Sequence, residues 1–304
     1  MLGKIVVGIL GVTGAIGELY ETLLKNHTHF KLGFIAASKK NVGKNRHGLT
    51  IHSIDDLPSA KKCGVKILFS GLHTEIAKII EPIWGQDFLV ISSSSAFRTE
   101  QQLILPEING HQIQSARTGI FAKPNCTLHP IILPLAALVP LGIKRATVTT
   151  FQAVSGAGKT GLSAMDILDN VIPFIENEEE KIKKEFQLLL KKDIPLDITC
   201  CRVAVYDGHL VTMSVEFERK VSIEQVQDNL HQYTLFKVHH EHDRPQPRLD
   251  KDFKKGMGIS IGRIRQGEGA VIQFVALAHN RIRGAAGTGI KLAEIAYGFE
   301  KPGL

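Results

Sequence analysis

Apolar positions come in short unbroken runs over the first 120 residues and in longer, more widely spaced runs after them. Residues 4–10 (KIVVGIL), 32–37 (LGFIAA), 65–70 (VKILFS) and 88–92 (FLVIS) are rich in β-branched and large apolar side chains, the pattern of strands covered on both faces. Between them lie segments with helical spacing: Leu19, Leu23 and Leu24 in one, and HTEIAKIIEPI in the other. Strand and helix in alternation predict a parallel sheet.

After about residue 140 the expected strands lengthen (146–154, 198–205, 210–217, 258–264 and 270–278), and few helices separate them. Helices are expected at about 159–171 and 176–192. The second opens ENEEE and ends LLLKK, so its charges oppose the helix dipole at both ends. Residues 124–143 carry no charged side chain over the length of a membrane span, roughly 20 residues. Pro130, Pro134 and Pro140 interrupt them, and a buried helix is expected instead. A small-residue-rich helix at 284–299 is expected to pack back on the first domain.

The chain has 304 residues, 43% hydrophobic and 22% charged, which excludes disordered, collagenous and disulfide-scaffold classes. Its length predicts two domains or one large one. The net charge of +7 calls for anionic partners: nucleic acid, membrane headgroups or small polyanions. The cysteines at 63, 126, 200 and 201 form no C-x-x-C pair, and the N-terminus shows no signal-peptide pattern. A reducing, cytoplasmic location is therefore expected.

Gly11-Val-Thr-Gly14-Ala-Ile-Gly17 joins the first strand to the first helix, where glycines let a pyrophosphate approach the helix N-terminus. The spacing G-x-x-G-x-x-G departs from G-x-G-x-x-G, and a plain strand–helix turn is the competing explanation. Past the second strand, an NAD site places an acid to bond the ribose hydroxyls. Here Ser38-Lys39-Lys40 stands instead, with five Lys or Arg and no acid between Lys31 and Gly48. Ser38 and Lys40 suit a 2′-phosphate, so NADP is expected over NAD. Residues 153–160, AVSGAGKT, fall one glycine short of a phosphate loop, and no magnesium-binding aspartate follows at a suitable distance. The run His239-His240-Glu241-His242-Asp243 is too contiguous to converge on one ion, and no metal is expected.

Cys126 follows Pro124-Asn125 at the start of the apolar helix, where a thiolate is favoured. Asn125-Cys126-Thr127, Phe151-Gln152-Ala-Val-Ser-Gly-Ala-Gly158 and Cys201-Arg202-Val203 through Gly208-His209 resemble signature segments of the aspartate-semialdehyde dehydrogenases. So do Ser94-Ser95-Ala96-Phe97-Arg98, Pro106-Glu107-Ile108-Asn109, Arg244-Pro-Gln-Pro-Arg248-Leu-Asp250 and His279-Asn280-Arg-Ile-Arg283. The similarity is closest to the archaeal and fungal branch and runs nearly end to end.

The resemblance implies α/β plus α+β architecture: a Rossmann-type parallel sheet and a second domain like that of glyceraldehyde-phosphate dehydrogenase. Residues 1–127, completed by 284–304, would bind NADP; residues 128–283 would carry catalysis and oligomerisation. It implies NADP-dependent reductive dephosphorylation of 4-aspartyl phosphate to L-aspartate 4-semialdehyde, in the aspartate-derived amino-acid pathway. Cys126 would carry the thioester beside Asn125, Gln152 would orient the acyl group, and His209 would act as acid/base. Arg202 would bind the substrate carboxylate, Glu185 its ammonium and Arg98 the phosphate. Gly11, Thr13, Gly14, Ala15, Ile16, Ser38, Lys40, Gly156 and Asn280 would line NADP. The partners would be small molecules, with no nucleic acid or membrane, in a homodimer or homotetramer. These residue types suit the chemistry: a thiolate both adds to a carbonyl and leaves, and arginine forks onto carboxylate or phosphate.

Against the family pattern, which has a lysine three residues after the glutamate matched here by Glu185, this chain has Leu188. Other departures are Ser93, Lys123 and Ala204. The alternatives are a same-fold NADP-dependent reductase of another acyl phosphate or acyl-CoA, and a nucleotide- or nucleic-acid-binding protein without redox chemistry.

Overall fold

The computed structural model describes residues 3–99, 102–158 and 161–304. Lys159 and Thr160 of the phosphate-loop-like segment lie outside the described residues. The chain divides into two compact units: Met1–Pro124 with Ala285–Gly303, and Asn125–Gly284 with the terminal Leu304.

In the first unit the described residues form strands β1 (Ile5–Leu10), β2 (Phe30–Ala37), β3 (Asn45–Arg46), β4 (Leu49–Ser53), β5 (Ile67–Ser70), β6 (Leu89–Ser92), β7 (Gln102–Leu103) and β8 (Gly119–Ala122). They make one sheet in the order β3-β4-β2-β1-β5-β6-β8-β7, parallel except for the β3–β4 hairpin. The central runs are buried throughout: Ile67, Leu68, Phe69, Leu89, Val90 and Ile91 expose no surface. That is why they read as unbroken apolar runs.

The turn after β1 needs its glycines for close approach. Gly11 has φ +81°, and a Cβ on Gly17 would lie 2.3 Å from the Gly11 carbonyl oxygen. Gly14 caps the Ala15–Leu24 helix, and its N–H donates to Gly11 O at 3.0 Å. The turn sits at the carboxyl end of β1, beside the end of β2, where Ser38 and the exposed Lys39 and Lys40 follow. Ligands bind at this edge of a doubly wound sheet. The Gly287–Ala296 helix belongs to this unit, where Lys291 pairs with Glu107 at 2.8 Å and Arg117 donates to Ala296 O.

In the second unit β9 (Ile143–Ala153), β10 (Val171–Ile172), β11 (Leu196–Val203), β12 (His209–Phe217), β13 (Phe236–Val238), β14 (Ile259–Gln266) and β15 (Val271–Ala278) form a mixed sheet among the described residues. Its order is β10-β11-β9-β12-β15-β14-β13. The proline-interrupted segment is a buried helix, His129–Leu138, and no described helix is long and apolar enough to cross a membrane. The charged helix is Glu178–Leu190.

The helix expected at 159–171 is corrected: its described part holds a single turn, Ala164–Ile167. Leu168 is extended, Asp169 takes φ +55°, and β10 follows as an edge strand on β11. Leu162, Met165 and Leu168 have helical spacing but remain exposed, so no apolar face is buried to carry the helix further.

Candidate active site

The register of three neighbouring strands assembles the centre of the second unit. Parallel pairing of β11 with β9 sets Arg202 beside Gln152, and antiparallel pairing of β12 with β9 begins at Leu210 opposite Phe151. Arg202, Gln152 and His209 therefore share one edge and one face of the sheet, although 57 positions separate the first and last of them in sequence. All three are buried.

Cys126 opens a 3-10 turn, Cys126–Leu128, ahead of the His129–Leu138 helix. Its Sγ lies 3.3 Å from His209 Nε2. The other ring nitrogen settles the tautomer. Nδ1 accepts the backbone N–H of Ala153 at 3.0 Å, so the proton of the neutral ring sits on Nε2, facing the sulfur. Burial, with the nearby charges of Arg202 and His279, pulls the imidazole down to about 3. His209 is thus a neutral hydrogen-bond donor at working pH.

Asn125 is held at all of its polar groups. Its N–H donates to Glu185 Oε2 at 2.6 Å, its Nδ2 to Glu178 Oε1 at 3.0 Å, and its Oδ1 accepts from Thr127 N–H at 2.8 Å. Glu178 Oε1 also receives Gln152 Nε2 at 3.3 Å and Thr127 Oγ1 at 3.5 Å. Arg202 donates through Nη1 to Ala153 O at 2.8 Å; burial lowers its pKa, and the charges of Cys126 and Glu178 act against that.

Gly284 packs on the nucleophile: a Cβ there would lie 2.4 Å from Cys126 Cβ and 2.8 Å from its Cα. Gly156 passes beside Arg202 and His209; its Cβ would lie 3.0 Å from Arg202 Nη1. Asn280 Nδ2 donates to Ser155 Oγ, and its Oδ1 accepts from Gly208 N–H, both at 2.8 Å.

Cys126, His209, Gln152, Asn125, Arg202, Glu185, Gly156 and Asn280 are therefore brought together in one unit. Arg98 and the residues Gly11, Thr13, Gly14, Ala15, Ile16, Ser38 and Lys40 belong to the other. Within it Arg98 follows the Ser95–Phe97 turn, and its Nη2 donates to Ser93 O at 3.4 Å.

The geometry alters one sequence expectation. Glu185 is almost fully buried and spends a carboxylate oxygen on the Asn125 backbone, whereas Glu178 reaches the side chains around the cysteine. Glu178 has Lys181 three residues on, so the glutamate–lysine spacing that Leu188 breaks is met one stretch earlier. Spacing held a clue: positions seven apart fall on one face of a helix, and Glu178 and Glu185 both face Asn125. Ala153, Ser155 and Gly284 carried no such signal, because Ala153 acts through its main chain, Gly284 through its missing Cβ, and Ser155 through a bond to Asn280 that no motif spacing marks.

The semialdehyde dehydrogenase dimerisation domain matches residues 132–283, and the semialdehyde dehydrogenase NAD binding domain matches residues 6–116. The aspartate-semialdehyde dehydrogenase of Archaeoglobus fulgidus is 36% identical over 333 positions, covering 95% of this chain and 97% of the relative. That of Saccharomyces cerevisiae is 33% identical, covering 97% of this chain and 98% of the relative. Among solved structures, aspartate semialdehyde dehydrogenase II from Vibrio cholerae superposes with a TM-score of 0.85 at 28% identity, covering 96% of this chain and 98% of that one. The Candida albicans enzyme with NADP gives 0.85 at 28% identity, over 95% and 98%. The chain belongs to the aspartate-semialdehyde dehydrogenase family.

Proposed function

We propose that this chain is an NADP-dependent aspartate-semialdehyde dehydrogenase, reducing 4-aspartyl phosphate to L-aspartate 4-semialdehyde with release of phosphate. The observation that carries the reading is a thiol facing a neutral histidine donor at 3.3 Å, with Arg202 and Glu178 on neighbouring elements. That pair of opposite charges suits the carboxylate and ammonium of an α-amino acid.

The glycine turn at Gly11, Thr13, Gly14, Ala15 and Ile16 leads from β1 into the N-terminus of the Ala15–Leu24 helix, the place where free backbone N–H groups suit a pyrophosphate. Ser38 and Lys40 fit a 2′-phosphate, and Gly156 and Asn280 complete the expected cofactor contacts. Bound NADPH supplies the hydride. Cys126 Sγ attacks the acyl carbon, and the C–O bond to phosphate breaks, leaving a thioester. Asn125, fixed by Glu178, Glu185 and Thr127, orients the sulfur. Gln152 steadies the acyl group, and Arg98 takes the departing phosphate. Once the thioester is reduced, His209 Nε2–H bonds the thiohemiacetal oxygen as its charge develops. Scission of the C–S bond then frees the aldehyde and restores the thiolate. Arg202 holds the α-carboxylate and Glu178 the α-ammonium.

The direct test is NADP reduction by L-aspartate 4-semialdehyde. It is expected to require inorganic phosphate; a requirement for coenzyme A instead would sink this reading and select an acyl-CoA reductase. Glu178→Gln is expected to raise KM for the semialdehyde about 10–100-fold, the cost of losing a charge-assisted bond. Glu185→Gln, which keeps an acceptor for the Asn125 N–H, is expected to change KM by less than about threefold.

Met165, Leu168, Val171, Phe174 and Tyr206 form an exposed apolar set at the β10–β11 side of the second unit. This is the face for a homodimer, or for one interface of a homotetramer, in a cytoplasmic enzyme. Sedimentation equilibrium of the wild type and of Phe174→Asp checks it: a dimer or larger assembly is expected for the first and a monomer for the second.

A further inference from the structure

Asp207 anchors a relay of hydrogen bonds that passes behind His209. It lies in the turn between β11 and β12, two residues before the histidine. Its Oδ1 accepts Ser155 Oγ–H at 2.6 Å. Ser155 Oγ accepts Asn280 Nδ2–H at 2.8 Å, and Asn280 Oδ1 accepts Gly208 N–H at 2.8 Å. An ionised carboxylate can only accept, so the serine proton is committed to Asp207. The serine oxygen must then face a donor. This turns the Asn280 amide with its nitrogen toward Ser155 and its oxygen toward Gly208, so the direction of the relay is set at Asp207.

The relay grips both flanks of the histidine. Ser155 is two residues past Ala153, whose N–H holds Nδ1, and Gly208 is bonded to His209 itself. Val154 N–H on Val205 O at 2.8 Å and Ser155 N–H on Tyr206 O at 3.2 Å join the same two segments along the main chain.

We propose that Asp207 is a positioning residue: through Ser155 and Asn280 it clamps residues 153–156 to the 207–209 turn, keeping Nδ1 of His209 on Ala153 and Nε2–H on Cys126. The inference rests on the reading of His209 as donor to the reacting oxygen. Among the described residues, the titratable or charged groups that face the histidine are Cys126, Arg202 of β11, and His279 after β15. Asp207 itself faces Arg281, with Nη1 3.6 Å from Oδ2, and His279.

The test compares D207A, S155A and D207N in the full chain. Two quantities are followed against pH: kcat, and the rate at which iodoacetamide alkylates Cys126, which needs neither substrate nor turnover. D207A is expected to lose about 10–100-fold in kcat, the range for a misplaced catalytic group. It also gains an acidic limb toward the ordinary histidine value of about 6.5 in both profiles, because a ring no longer held on the Ala153 N–H leaves the buried position where desolvation and the Arg202 charge keep it neutral. S155A cuts the relay one link further on and reproduces that limb. D207N, whose amide oxygen still accepts the serine proton, keeps the wild-type profiles and stays within about threefold in kcat. Wild-type profiles in both D207A and S155A would overturn the proposal. So would a D207N as impaired as D207A, which would assign the effect to charge opposite Arg281 and His279. A wild type inactive with the semialdehyde counts against the proposed function alone, since the alkylation profiles still judge Asp207.

Discussion

Cys126→Ser is expected to lower phosphate-dependent NADP reduction by more than about 10⁴-fold, the scale seen when a nucleophile is removed. Serine keeps the size of the side chain and the contact with His209, but loses the reactivity. His209 holds its own proton on the nitrogen facing position 126, and Nδ1 is committed to Ala153 N–H, so no base is presented to a hydroxyl. A thiol ionises unaided to a useful extent near neutral pH, and an alcohol does not. NADP affinity, read by thermal shift, is expected to persist in this variant. Phosphate-dependent turnover near the wild-type rate would remove Cys126 from the chemistry.

His209→Ala is expected to cost about 10²–10³-fold in kcat, as for loss of one donor to a developing oxyanion. His209→Asn, which can present an N–H, recovers part of that loss. The same tautomer argument gives a pH signature. With burial, Arg202 and His279 pulling its pKa down to about 3, the ring is neutral around neutral pH. The wild-type kcat profile therefore shows no histidine limb between about pH 5 and 8, where an unperturbed histidine would titrate. A limb in that range, absent from His209→Asn, would show that the ring does exchange its proton during turnover.

Much of the fold was legible because burial on both faces leaves an unmistakable mark. The run at β1 is apolar throughout and those at β5 and β6 are apolar up to their closing serines, and strand–helix alternation makes the sheet parallel. The site was legible where a residue acts with its own side chain in a fixed motif, as Cys126, Gln152, Arg202 and His209 do. It was not legible where geometry replaces side-chain chemistry. The Ala153 N–H that decides the tautomer of His209 belongs to a residue with no functional group, and Gly284 matters by its missing Cβ. Glu178 and Glu185 were separable only by register. Both lie on the same helix face, one near the cysteine's neighbouring side chains and the other beneath its main chain. The false helix at 159–171 failed for the opposite reason: its apolar spacing belongs to an exposed surface, so periodicity described a face that nothing in this unit covers.

The sheet order also governs how reactivity is acquired. β11 and β12 are antiparallel and joined by the five residues 204–208, the length of an ordinary hairpin, yet β9 lies between them. A chain in which the two strands met directly would satisfy its local contacts and exclude β9, taking Gln152 and the Ala153 N–H away from the histidine. The native order requires distant pairing to prevail over a nearby one, which is slow by its nature. Only with β9 between β11 and β12 does His209 meet the Ala153 N–H that fixes its tautomer, so the donor facing Cys126 is a product of the completed sheet.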